Sequence, residues 1–219
     1  MTMSGPNHEP TSRSAHSIAL KRARAISALS LAWTLSVSTL ALFVGLAAQS
    51  LVLIAFALTG AFDALGSAAL VIHFGRALRL GSVSERFERA VLGLVAVGMW
   101  GVAAGTGVQS VMRLASDDTA EATVAGTVLA AVSAVALVVL ARRKASIARS
   151  VPSAALIADS HLTKFGAILA LVTLLGTAST HVLGWRWLDP CAALLVAALL
   201  LMVGATVARD AARLPVSEH

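Results

Sequence analysis

The chain has 219 residues, of which 58% are hydrophobic and only 13% charged, against about 45–50% and about 25% in a typical soluble domain. With a mean hydropathy of +0.84, no compact body of this size hides its apolar surface from water. That excludes a soluble globular protein and also a disordered one, while a single cysteine, Cys191, excludes a disulfide scaffold, a zinc ribbon or a Cys-x-x-Cys redox centre.

What remains is a polytopic, all-α membrane protein. A spanning helix needs about 20 predominantly apolar residues, and six stretches qualify: Ala25–Ala48, Leu51–Phe74, Phe87–Leu114, Thr123–Leu140, Ala154–Ala178 and Leu188–Ala208. The joint between the first two, at Gln49 and Ser50, is so short that they must form a hairpin. Residues 1–24 read as a polar, basic tail and residues 209–219 as a second short one, with a single six-helix domain over 25–208. The first apolar run follows Lys21, Arg22 and Arg24 like a signal peptide, but it is too long for one and shows no cleavage site, so it reads as a retained span.

Charge sets the expected orientation. With six spans, fourteen of the seventeen Lys and Arg fall on one side, in the N-terminal tail, the second and fourth loops and the C-terminal tail. Only Arg113 and Arg186 fall on the other, beside Asp117, Asp118 and Glu121, and Lys164 lies inside a span. Basic loops stay in the cytoplasm, so both termini are expected there. The net charge of +6 then reports topology rather than a nucleic-acid partner. Three Lys against fourteen Arg, with abundant Ala and no Tyr, fit a GC-rich bacterial genome and hence a bacterial plasma membrane.

Ionisable residues inside a span are costly and mark function by default. Asp63 lies in the second span, and Asp159, His161 and Lys164 lie in the fifth. Glu88, Asp189 and His73 sit at span ends, where anchoring or capping explains them. Thr59 and Asp63, one helical turn apart, form an oxygen-bearing pair flanked by Gly60, Gly66 and Ser67. In the fifth span Asp159, Leu162, Thr163 and Gly166 share one face, and His161 and Lys164 a neighbouring one. At about 1.5 Å per residue, Asp63 lies about 16 Å from the cytoplasmic end, level with Lys164. Carboxylate, hydroxyl and imidazole groups suit a borderline divalent metal. An internal hydrogen-bond cluster that only fixes helix packing accounts for the same spacing.

Four segments carry a family resemblance: "SLVLIAFALTGAFDALGSAALVI" in the second span, "SERFERAVLGL" leading into the third, "LIADSHLTKFGAILALVTLLG" in the fifth, and "GWRWLDPCAALLVAALLLMVGATVARDAARL" in the sixth, with its Leu188-Asp189-Pro190 start. Over residues 26–214 the chain resembles the transmembrane domain of the cation diffusion facilitator family, six-span exporters of zinc and related cations. It is most similar to the branch without a C-terminal cytosolic domain, which moves zinc into vesicles. The resemblance implies a transport site with two ligands from the second span and two from the fifth. Carried over by position, the second span supplies Thr59 and Asp63. The fifth has Leu162 and Gly166 at the ligand positions, with His161 one residue off and Asp159 nearer the cytoplasmic mouth.

The resulting expectation is a proton-coupled exporter of a zinc-like divalent cation, with Asp63, Thr59, Asp159 and His161 as candidate metal ligands. The metal is cargo rather than a resident cofactor. Two alternatives stand beside it. In one, the Lys164 ammonium pairs with Asp63 and the chain is a silent or regulatory homologue; in the other, it is a small-solute carrier unrelated to metals. No phosphate-binding loop or nucleophile–base–acid arrangement suggests an enzyme. Gly98, Gly101 and Gly105 form a small-residue stripe suited to close helix packing, either within the chain or in a homodimer. Trp185 and Trp187 read as membrane-interface anchors.

Overall fold

The computed structural model describes residues 9–80, 85–116, 123–150, 154–185 and 187–213. They form six helices, α1 (Glu9–Ala47), α2 (Leu51–Leu80), α3 (Glu85–Ser116), α4 (Val124–Ser150), α5 (Ala154–Leu183) and α6 (Leu188–Arg213), with no strand among the described residues. All six are long and apolar enough to cross a bilayer. This is the architecture lipid imposes, because a helix satisfies its backbone groups internally where no water can. Asp117, Asp118, Glu121, Arg186 and His8 lie outside the described residues, as do the side chains of His16, His73 and Glu88.

Two helices outrun their apolar stretches. α1 begins at Glu9 rather than Ala25, and α4 continues to Ser150 rather than ending near Leu140. The second extension carries Arg142, Arg143 and Lys144 on a helix instead of in a loop. Its consequence appears at the site below.

The helices pair most extensively as α1 with α2, α3 with α6, and α4 with α5, while α2 also packs on α3, α5 and α6. One end of the bundle is clasped by long-range polar contacts. Gln49 turns the chain between α1 and α2 with a left-handed φ of 51°, and its carbonyl accepts a hydrogen bond from Arg113 at the end of α3. Asp189, at the start of α6 and fully buried, accepts hydrogen bonds from the Ser50 hydroxyl and, at 2.9 Å, from the Leu51 N–H. A carboxylate there satisfies donors that an α-helix leaves open at its N-terminus and complements the helix dipole. Asp189 is thus a cap supplied by a distant helix. Trp185 and Trp187 lie at this same end, half exposed and stacked with ring centroids 6.0 Å apart.

The opposite end carries most of the basic residues. Between the ends runs a continuous apolar core that includes Val52, Ala55, Val95, Leu162, Ala170, Val196 and Leu200. The glycine stripe of α3 splits its roles. The Phe62 ring lies so close over Gly98 that a Cβ there would overlap it, whereas nothing lies within 4 Å of that position at Gly101 or Gly105. Gly98 therefore serves packing inside the chain. Gly101 and Gly105 border an open groove of about 770 Å³ between α2 and α3.

Candidate functional site: a buried carboxylate above an internal ion pair

α2 brings Asp63 to the interior because its i−4 and i+4 neighbours, Thr59 and Ser67, lie on the same face and all three are buried. Asp63 is only 7% exposed, and its Oδ1 has no hydrogen-bond partner. Buried polar atoms without partners are rare, and each needs a physical reason. Asp63 lines a cavity to which all six helices contribute; its wall is mainly apolar, with Phe56, Met99, Leu137, Leu162, Phe165 and Leu200 among others, and Thr34, Ser38 and Thr59 bring hydroxyls to it. The space open to the centre of a water molecule is about 30 Å³, enough for about two water-sized guests. Thr59 donates its hydroxyl proton back to the Ala55 carbonyl at 2.7 Å, which leaves its oxygen lone pairs available.

One turn further along α2, about 6 Å by helical rise, lies an ion pair. Lys144 Nζ sits 2.6 Å from Asp159 Oδ2, and both side chains are essentially buried. The ammonium also donates to Thr163 Oγ1 at 2.9 Å and to Ser67 Oγ at 3.5 Å. Ser67 Oγ in turn donates to Asp159 Oδ1 at 3.4 Å, and Thr163 Oγ1 to the Asp159 carbonyl at 3.0 Å. Three helices, α2, α4 and α5, thereby close one polar network in which the lysine has an acceptor on each neighbour. Asp63 lies within electrostatic reach of both members of the pair.

The structure thus redistributes the residues expected to form the site. Thr59 and Asp63 are together on the cavity. Asp159 is close by but engaged by Lys144. His161 and Lys164 point to the exposed face of α5, so Lys164 is not the counter-ion of Asp63, and His161 is turned away from Asp159. His161 instead lines a side crevice of about 230 Å³ with Asp210 and Thr206 of α6. Leu162 and Phe165 border both that crevice and the Asp63 cavity, forming an apolar wall between them. Among the described residues no group of three or more His, Cys, Asp or Glu is placed to hold a metal ion.

Two features escape the sequence reading. The first is Lys144, which its basic neighbours disguise as a loop residue. The buried face of α4 passes through Ala130, Ala134, Leu137 and Ala141, and continuing that four–three alternation lands on Lys144, while Arg142 and Arg143 fall outside. The second is a column of hydroxyls on α1. Ser27, Ser30, Thr34 and Ser38 are all buried along one face, and the hydroxyls of the first three have no hydrogen-bond partner. Thr34 and Ser38 bring that column to the wall of the cavity that Thr59 and Asp63 also line. Gly60 permits this approach, because a Cβ there would overlap the Ser38 hydroxyl. No family model matches the chain, and no curated protein matches it.

Proposed function

We propose that the chain is a multi-pass membrane carrier that moves a small cation in exchange for protons, with Asp63 as the central ligand. The observation that carries this reading is the unpartnered, buried Asp63 oxygen on a largely apolar cavity to which all six helices contribute. A carboxylate that alternately holds a cation and a proton is chemically suited to exchange, because a vacated ligand can take up H⁺. With the basic end in the cytoplasm, the crevice of His161 and Asp210 is the inlet and the Leu162–Phe165 wall is what must part. A divalent, zinc-like cargo, implied by the resemblance to cation diffusion facilitators, would rest on Asp63 and Thr59, with Asp159 contributing only after release from Lys144. Reconstitution into vesicles loaded with a pH-sensitive dye tests the proposal. A cation gradient should drive proton movement with the native chain and not with Asp63→Asn; equal responses from the two would refute it.

The Lys144–Asp159 pair favours a second reading, a silent or regulatory homologue in which a tethered ammonium has replaced the cation. In that case no cation gradient moves protons through the native chain, and Lys144→Met acquires cation binding that calorimetry detects.

A further inference from the structure

The charge and the donor atoms around the cavity, taken together, specify more than a generic cation. The buried cluster holds two carboxylates, Asp63 and Asp159, and one ammonium, Lys144. With all three ionised its net charge is −1. Among the described residues of all six helices, Asp63 is the one titratable side chain that lines the cavity; His161, Lys164 and Asp210 are turned outward on exposed faces. A net charge left in the low-dielectric interior of a bilayer is strongly unfavourable. One added positive charge brings the cluster to zero, whereas a divalent ion takes it to +1 beside an ammonium that cannot leave without abandoning Asp159.

Donor chemistry points the same way through an independent observation. The polar side-chain groups on the cavity wall are four that can accept, the Asp63 carboxylate and the hydroxyls of Thr34, Ser38 and Thr59, and one N–H donor, the Trp33 indole. Thr34 Oγ1 and Trp33 Nε1 are buried without hydrogen-bond partners, like Asp63 Oδ1. Among the described residues no imidazole or thiolate lines the cavity, and the Met99 thioether is the one sulfur on its wall; oxygen donors suit hard cations rather than zinc.

We infer that the cavity on which Asp63 lies is a site for a hard monovalent cation of the sodium class, held by Asp63, Thr34, Ser38 and Thr59, with Lys144 setting the load to a single charge. This rests on Asp63 being a carrier site and names its cargo. The exchange balances: the resting cluster is neutral with Asp63 protonated, and binding one M⁺ releases that one proton and leaves the cluster neutral again. Transport is then one-for-one and carries no net charge across the membrane. Thr34 and Ser38 belong to a helix whose buried hydroxyls continue through Ser30 and Ser27 toward the basic end.

The test uses the full chain in vesicles of neutral lipid, with an internal pH-sensitive dye and Na⁺, Li⁺, K⁺, Zn²⁺ and Mn²⁺ as separate probes. The native chain should respond to a monovalent gradient and not to Zn²⁺ or Mn²⁺, with no dependence on an imposed membrane potential. Asp159→Asn brings the ionised cluster to zero, gives Lys144 only Asp63 as counter-ion, and should lose the monovalent response. Lys144→Met brings it to −2 and should open a divalent response. The double variant returns it to −1 and should recover the monovalent response. It also keeps the test usable should a single variant fail to fold. A native response to Zn²⁺ or Mn²⁺ without one to monovalent ions overturns this inference but leaves the carrier reading intact, as does a double variant that folds yet recovers nothing. No response to any probe overturns both.

Discussion

Removing the Lys144 ammonium alone should cost the protein much more stability than removing both members of its pair. At 2.6 Å and an effective dielectric of about 20, the attraction between two unit charges is about 6 kcal/mol. Most of this is offset by the desolvation of two ions, so the pair contributes little net stability. Its loss is asymmetric. Lys144→Met leaves the Asp159 carboxylate buried without its cation, a situation that typically costs about 3–5 kcal/mol. For a chain of this length that corresponds to a drop of roughly 6–20 °C in melting temperature. Asp159→Asn leaves the ammonium with Asp63 as its counter-ion and should also lower the melting temperature, by less than Lys144→Met does. In the double variant neither charge remains, Met fills the lysine stem's volume, and the melting temperature should return to within a few degrees of the native value. Thermal melting in detergent, followed by size-exclusion fluorescence across the four-member cycle, measures the coupling directly. Additive losses would show that Lys144 and Asp159 do not interact in the folded protein, and a Lys144→Met variant as stable as the native chain would show that the lysine is not buried at all. Either result refutes the electrostatic argument built on this pair.

Other expectations follow from individual contacts. Thr34→Val keeps the side chain's shape and removes a hydroxyl that has no partner, so stability should hold or rise slightly in a thermal melt; cation-driven proton flux should nevertheless fall, and an unchanged flux would remove Thr34 from the ligand set. Asp189→Asn weakens the cap on α2 that joins Ser50 and Leu51 to α6, with an expected loss of about 1.5–3 kcal/mol for hydrogen bonds to a charged group, read as a lower melting temperature with cation flux preserved. Gly98→Leu must displace Phe62 and should destabilise the fold, whereas Gly105→Leu meets open space and should not. Should copies of the chain pair through the Gly101–Gly105 groove, Gly105→Leu would lower the particle mass measured by light scattering in detergent, and an unchanged mass would argue against a homodimer there.

The bundle is legible in the sequence because lipid leaves few alternatives: an apolar run of spanning length has to be a helix, and a two-residue joint such as Gln49-Ser50 has to be a hairpin. The limits of that logic show at α1 and α4, where the helix continues past the apolar stretch. Hydropathy locates the part of a helix that lipid touches, while the hydrogen-bond ladder continues wherever packing sustains it. That Asp63 and Thr59 share one buried face is legible for a related reason, since residues one turn apart on a helix point the same way. Helical spacing also puts His161 and Lys164 on a different face from Asp159 and Thr163. The exposed positions of both residues follow that division.

Lys144 shows why the polar interior is harder to read than its apolar shell. Arg142, Arg143 and Lys144 are consecutive and identical in sign, so any count of loop charges treats them alike. On a helix, consecutive residues are about 100° apart, and only one of the three can continue the inward face occupied by Leu137 and Ala141. That one is the lysine, whose flexible stem and compact ammonium can reach Asp159, Ser67 and Thr163 together. The same positional logic explains α1, where Ser27, Ser30 and Thr34 look like scattered polar residues in an apolar run but repeat at three and four residues on one buried face. Charge composition therefore locates the membrane, whereas the charge of the interior depends on facing. A lysine turned inward leaves the buried cluster of two carboxylates with one net negative charge rather than two when all three groups are ionised.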